Sequence, residues 1–198
     1  GIKPESILKS LDGTSHHFSA LTSWHYYRPN FAEWVAKPVT FFARLFSSPF
    51  SFFRTGNVDV PSLLSMLPSG VFDNRPIEQY LRENIERNGL TNDFVTAARL
   101  TGKRLYICAM TLDGAKRVIF GPDEKNDVTI SEAVQASTAM PGFCKPARID
   151  GVDYVDGGVQ ETANIDIAIK KGAQLIVCYN PFRPYDPKKF EEKIGWNH

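Results

Sequence analysis

The stretch GVDYVDGGVQETANI, Gly151 to Ile165, sets one acid, Asp156, at the end of a short apolar strand and follows it at once with Gly157 and Gly158. Two readings fit. Asp-Gly is the commonest tight-turn dipeptide and reverses a chain without doing chemistry. A carboxylate delivered at a strand end can also serve as a catalytic base, provided the rest of the fold brings it a hydroxyl.

Other reactive side chains are scattered. Ser15 lies in GTSHHF, where no apolar strand precedes it as a nucleophile elbow requires. His16, His17 and His25 are joined by no cysteine or paired carboxylate, and adjacent histidines point in different directions, so they read as loop histidines and no metal site is expected. Ser137 sits on a small-residue helix as a packing residue, and Asp153 and Asp166 read as solvated turn and helix acids. Lys188 to Lys193, KKFEEK, reads as a solvated helix face. Cys108, Cys144 and Cys178 are odd in number, far apart and inside apolar runs, which suits buried reduced thiols.

The elements that must position Asp156 follow from periodicity. Pro76 opens a helix in which Ile77, Leu81 and Ile85 share a face until Gly89 stops it, and a second short helix over Thr91 to Leu100 ends at Gly102. RLYICAMTL, Arg104 to Leu112, turns through Asp113-Gly114 into KRVIF, a hairpin with a two-residue turn. Thr129 and Glu132 have capping-box spacing and open a small-residue helix that Pro141-Gly142 ends. PARIDGVDYVDGG repeats the hairpin grammar at Asp150-Gly151. Asn164 then caps a helix stopped by Gly172, and Ala173 to Tyr179 reads as a buried strand; helix followed by apolar strand is the pattern of a partly parallel sheet.

Phe31 to Phe53 holds 7 of the 14 phenylalanines together with Trp34, and only Glu33, Lys37 and Arg44 are charged. Pro38 and Pro49 are expected to break it into short pieces, so that it does not form one spanning helix. Two readings stay open: a cover over the core or a pocket, and an amphipathic lid that seats on lipid, with Arg44 and Arg54 near head groups.

At 198 residues the chain suits one α/β domain with its own core. A formal charge of +1 offers no field to recruit nucleic acid. With no signal peptide in view and no apolar run long enough to cross a bilayer, a cytoplasmic or peripheral-membrane location is expected. The opening GIKPESILKSLDG begins inside a helix pattern, with Pro4 and Glu5 in a first turn and Ile7, Leu8 and Leu11 behind it, so sequence is expected ahead of Gly1 and, from the ending KIGWNH, behind His198.

The ordered series ISEAVQASTAMPGFCKPARIDGVDYVDGGVQETANIDIAIKKGAQLIVCYN resembles the patatin-like phospholipase domain, closely over Thr129 to Asn180. PIEQYLRENI and RLYICAMTLDGAKRVIF resemble the middle of that domain, and GIKPESILKSL the segment just after its nucleophile. The resemblance implies a three-layer α/β/α fold on a central, mostly parallel sheet, whose first strands would lie ahead of Gly1. It implies a lipid acyl hydrolase with a Ser-Asp dyad, no cofactor, and phospholipid or another acyl lipid as substrate. Asp156 would be the base, with Gly157 and Gly158 as motif glycines that turn at positive φ and let the backbone approach the nucleophile. An aspartate with an ordinary pKa of about 3.9 becomes useful if partial burial raises it and a serine hydroxyl lies within reach.

No G-x-S-x-G elbow occurs in residues 1–198. In the family's order the elbow precedes the segment that GIKPESILKSL resembles, so the resemblance implies a serine, with its glycine-rich oxyanion loop, upstream of Gly1; a longer chain is expected ahead of a second polypeptide or a domain that has lost catalysis, since a stable domain could hardly spare a central strand and helix. The alternative is a non-catalytic lipid-binding or membrane-docking module.

Overall fold

The computed structural model describes residues 20–55, 62–159 and 164–179. The chain divides into two compact units, Gly1–Thr162 and Ala163–His198.

The first unit opens with a helical turn, α1 (Ser23–Tyr26), a two-residue strand, β1 (Arg28–Pro29), and a long helix, α2 (Phe31–Thr55). Strand β2 (Gly70–Asp73) leads into α3 (Arg75–Arg87) and α4 (Phe94–Thr101); the hairpin β3 (Ile107–Thr111) and β4 (Arg117–Phe120) follows, then α5 (Ile130–Ser137), β5 (Gly142–Cys144), β6 (Ala147–Ile149) and β7 (Val152–Asp156). Several helix ends match their sequence signals, but α4 starts at Phe94 rather than Thr91, and α5 stops at Ser137, short of Pro141-Gly142. Asp93 caps α4 by accepting from the Thr96 N–H at 2.7 Å, and Gly102 closes it at φ +67°. Thr129 and Glu132 form the expected capping box of α5, with the Thr129 N–H donating to Glu132 Oε2 at 2.8 Å.

The strands form two sheets, β1-β2-β5 and β4-β3-β7-β6. The α/β class is as expected, but among the described strands only β2 and β5 run parallel, pairing Gly70 with Gly142 and Phe72 with Cys144. The β3–β4 and β6–β7 pairs are antiparallel because short turns join them, and β1–β2 and β3–β7 are antiparallel as well. In the β6–β7 hairpin Asp150 and Gly151 both take positive φ, +48° and +81°, the primed turn whose twist matches its strands. The β3–β4 turn is wider than its Asp113-Gly114 pair foretold. The Thr111 N–H donates to the Lys116 carbonyl, because Leu112 is drawn the other way, its N–H donating to the Asp153 carbonyl on β7 at 2.8 Å.

The core lies between the second sheet and α5. Ala133 and Ala136 are fully buried on the helix, where a lone methyl lets it settle close to β3, β6 and β7; Phe94, Phe120 and Tyr154 fill the remaining space, with the Phe120 and Tyr154 rings 5.5 Å apart, edge to face. Helix α3 packs on the outside of α5 and holds it through polar contacts. Asn74, itself buried, donates from Nδ2 to the Gln135 carbonyl at 2.9 Å and to Thr138 Oγ1 at 3.2 Å.

The aromatic segment departs from expectation. Helix α2 runs through both Pro38 and Pro49 rather than breaking at them. Each proline forgoes one backbone bond at roughly 3 kcal/mol, and no glycine between positions 31 and 55 adds a second point of weakness. No described helix is long and apolar enough to cross a membrane.

The second unit contains α6 (Ile165–Lys170), ended by Gly172 at φ +79° as its sequence indicates. Asn164 stands at the cap position, yet it is left-handed at φ +47° and makes no side-chain cap bond, since a capping side chain reaches the helix N–H groups from extended backbone. Residues 173–179 form no strand. Leu175, Val177 and Tyr179 are exposed. Ser15, His16, His17 and the 188–193 run lie outside the described residues.

Candidate active site

Asp156 is the last residue of β7, an interior strand of its sheet, and pairs with Ala109 of β3. Its backbone N–H donates to the Ala139 carbonyl at 2.9 Å, which pins the strand end to the turn after α5. Its side chain is half-buried, and Oδ1 accepts the Gly158 N–H at 2.8 Å. Among the described residues Oδ2 accepts no hydrogen bond and the carboxylate forms no ion pair. One oxygen is therefore held by the backbone.

The two glycines serve differently from the expectation. Neither Gly157 nor Gly158 has positive φ; the chain leaves β7 as a 3-10 turn, Gly157–Val159. Gly157 is required by space. A Cβ there would stand 2.9 Å from the Cys108 carbonyl carbon and oxygen and 3.1 Å from the Ala109 nitrogen, which are backbone atoms of β3. A Cβ on Gly158 would meet Asp156 Oδ1 itself, at 3.2 Å.

Neighbouring groups separate the roles of the two acids in this region. Burial pushes the Cys144 thiol up, and the charges of Asp73 and Asp156 push the same way against a hydrogen bond to Met140, so the thiol stays protonated and is no nucleophile. Asp73 is buried, which works against its charge, but Arg75 donates from Nε to Oδ2 at 2.7 Å and from its N–H to Oδ1 at 3.0 Å and holds the carboxyl below its usual range. Asp73 is thus a neutralised structural acid. Met140, next to Ala139, and Val159, at the end of the 3-10 turn, bring exposed apolar side chains into the segments that touch Asp156.

Three residues that sequence reasoning passed over tie α2 to this unit. Glu33 accepts the Ser69 N–H at 2.7 Å and the Ser69 hydroxyl at 2.8 Å, and pairs with Lys145 at 3.2 Å. Burial raises the Glu33 carboxyl, but the two Ser69 bonds and the Lys145 ammonium outweigh it and hold the pKa at about 2. Ser69 directly precedes β2 and Lys145 directly follows β5, so the clamp grips the parallel pair. Glu33 is the only acid in an apolar stretch, and that isolation was the available signal.

Among the described residues of the first unit, none of the remaining candidates bonds the Asp156 side chain. His25 bonds Thr22 and meets Tyr80 at a tilt, their ring centroids 4.8 Å apart. Ser137 lies in α5, half-buried. Asp153 pairs with Arg148 at 3.0 Å, and Asp166 belongs to α6 in the second unit.

The patatin-like phospholipase family model matches residues 20–169. The chain is 31% identical over 107 residues to the uncharacterized protein YjjU of Escherichia coli (strain K12), a match that covers 51% of this chain and 29% of the relative. It is 26% identical over 129 residues to the probable lipid hydrolase 463L of Invertebrate iridescent virus 6, covering 64% of this chain and 40% of the relative. The chain thus spans less than half the length of either relative. With the family model covering well over half of its residues, the element series that delivers Asp156 places this chain in the patatin-like phospholipase family.

Proposed function

We propose that this chain carries the base of a serine acyl-lipid hydrolase, with Asp156 paired to a serine from sequence outside residues 1–198. The observation that carries the reading is the state of the Asp156 carboxylate: Oδ1 is held by the Gly158 N–H, and Oδ2 has no hydrogen bond among the described residues. Family membership and the relative described as a probable lipid hydrolase support a lipid ester as the substrate.

In this mechanism the serine hydroxyl donates to Asp156 Oδ2. The oxygen attacks the ester carbonyl as its proton passes to Asp156, and backbone N–H groups receive the negative charge on the carbonyl oxygen. Collapse breaks the ester C–O bond, and the protonated Asp156 returns its proton to the departing alcohol. Water then attacks the acyl-serine with Asp156 again taking the proton; collapse breaks the acyl C–Oγ bond, Asp156 returns the proton to the serine oxygen, and the fatty acid leaves. Phospholipid and other acyl lipids share this carbonyl chemistry.

The test uses the full-length product of the gene. A fluorophosphonate probe should label one serine within a G-x-S-x-G sequence, and the protein should release fatty acid from phospholipid. A full-length protein with no such serine, no label and no turnover overturns the reading. The exposed apolar side of α2 would then favour the second one, a lipid-docking module without catalysis.

A further inference from the structure

Asn74 stands at the N-cap position of α3, yet its side chain makes no cap bond to that helix. The start of α3 is served instead by the preceding residue, since Asp73 Oδ1 accepts the Arg75 N–H at 3.0 Å. The Asn74 amide is only 1% exposed, a place where unbonded polar atoms are costly. It turns to α5. Nδ2 donates to the Gln135 carbonyl at 2.9 Å and to Thr138 Oγ1 at 3.2 Å, and Oδ1 accepts from Gln135 Nε2 at 3.4 Å. Carbonyls in the last turn of a helix lack their full set of intrahelical partners, and Asn74 supplies one of them from a neighbouring element.

The turn that this amide holds carries the end of β7. Thr138 is followed by Ala139, fully buried, whose carbonyl accepts the Asp156 N–H at 2.9 Å; the next carbonyl, that of Met140, accepts the Cys144 N–H at 2.7 Å. One peptide of the turn is therefore bound to β7 of the second sheet and the next to β5 of the first. Asn74 reaches the same turn from a third direction, because it directly follows β2, the middle strand of the first sheet.

We propose that Asn74 is a positioning residue for Asp156, acting through Thr138 and the Ala139 carbonyl to fix where the strand end stands. The role differs from that of Gly158, whose N–H sets the direction of the carboxylate. Placement matters because a general base must lie about 2.6–3.2 Å from the hydroxyl it deprotonates, and a displacement of about 1 Å can cost about a hundredfold in rate. Ser131 is the contrast within the same helix. It is equally buried and well bonded, but it ties the opposite end of α5. The proposal rests on the reading of Asp156 as the base for its effect on turnover, whereas its effect on the Asp156 amide can be measured without turnover.

The full-length protein is compared with Asn74→Ala, Ser131→Ala, Asp156→Asn and Asn74→Ala combined with Asp156→Asn. Asn74→Ala should lower kcat on a short p-nitrophenyl ester by about tenfold to a hundredfold, with KM within about twofold of wild type. Ser131→Ala, which also removes a buried hydrogen bond, should leave both constants within about twofold. In the Asp156→Asn background, Asn74→Ala should add no further loss beyond about twofold, because the group it positions is already gone. Hydrogen exchange of the Asp156 amide should rise about tenfold or more relative to the other amides of β7 in Asn74→Ala, and should keep its ratio to them in Ser131→Ala.

A folded Asn74→Ala with wild-type kcat overturns the proposal, as does an equal further loss in the Asp156→Asn background or an unchanged exchange ratio. Should Asn74→Ala fail to fold, Thr138→Val takes its place, since it removes the hydroxyl that Nδ2 meets and keeps a branched side chain. It should show the same pattern at about threefold or more in kcat and in exchange, and wild-type behaviour in both overturns the proposal too. Full turnover in Asp156→Asn would instead remove the reading of Asp156 as the base, and the exchange ratio would then decide the anchoring by itself.

Discussion

Gly158 fixes the rotamer of Asp156: its N–H reaches back two residues to Oδ1 at 2.8 Å, so the acid is oriented by its own turn rather than by another side chain. An asparagine can accept that same bond through its carbonyl oxygen, yet it cannot take a proton. Asp156→Asn in the full-length protein should therefore lower kcat on a short p-nitrophenyl ester by about a hundred- to ten-thousand-fold. Stability to urea should stay within about 0.5 kcal/mol of wild type. Turnover preserved in Asp156→Asn would remove the carboxylate from the chemistry.

Gly157 and Gly158 separate into two predictions because their missing Cβ atoms would meet different things. Gly157→Ala drives a methyl into the β3 backbone at Cys108 and Ala109 and should cost about 1–3 kcal/mol of stability. In a melt that is roughly 2–4 °C per kcal/mol. Gly158→Ala presses only on Asp156 Oδ1, so its main effect should fall on kcat, with the smaller loss of stability. Urea unfolding and ester kinetics on both variants check the contrast, and equal stability losses would contradict it.

The site was legible to the extent that local rules governed it. The Asp150-Gly151 turn and the Thr129 capping box are decided within four residues, and they place the ends of β7 and α5 on either side of the bond from the Asp156 N–H to the Ala139 carbonyl. What local rules missed was set at a distance. Pro38 and Pro49 read as breaks, yet α2 continues through both. The wide β3–β4 turn follows from a bond between Leu112 and Asp153, and the clamp from a contact between Glu33 and Ser69, 36 positions apart. The run 173–179 has the composition of a strand, but composition supplies no partner edge.

The Glu33 clamp predicts a pH dependence of definite sign. With its pKa held at about 2, below the ordinary 4.5, the native state binds fewer protons than the unfolded chain over that interval. The stabilisation is fully present above pH 4.5 and is lost as pH falls from there towards 2. Screened by solvent, it amounts to about 1 kcal/mol. Urea midpoints measured from pH 6 down to 2.5 should fall less steeply in Glu33→Gln than in the wild type. Parallel curves would show that the carboxylate gains nothing from Ser69 and Lys145.

Ser131 offers a test of what holds α5, and through Ala139 the end of β7, in place. It is completely buried, donates from Oγ to Glu78 Oε1 at 3.0 Å, and accepts from Asn92 Nδ2 at 2.8 Å; its N–H donates to Asn92 Oδ1 at 3.0 Å. Ser131→Ala removes the hydroxyl and leaves the Asn92 amide short of a partner in a half-buried place, at a cost of about 1–3 kcal/mol. Asn92→Ala forfeits the same hydroxyl bond and strands the Ser131 N–H as well. The double variant should therefore lose less than the sum of the two, by about 0.5 kcal/mol or more. Additive losses would mean that the two side chains act independently. The other end of α5 is held separately, by Asn74 on Gln135 and Thr138. Ester turnover in Ser131→Ala, measured well below its melting temperature, should consequently stay within about twofold of wild type, because the carbonyl that receives the Asp156 N–H lies beyond that second anchor.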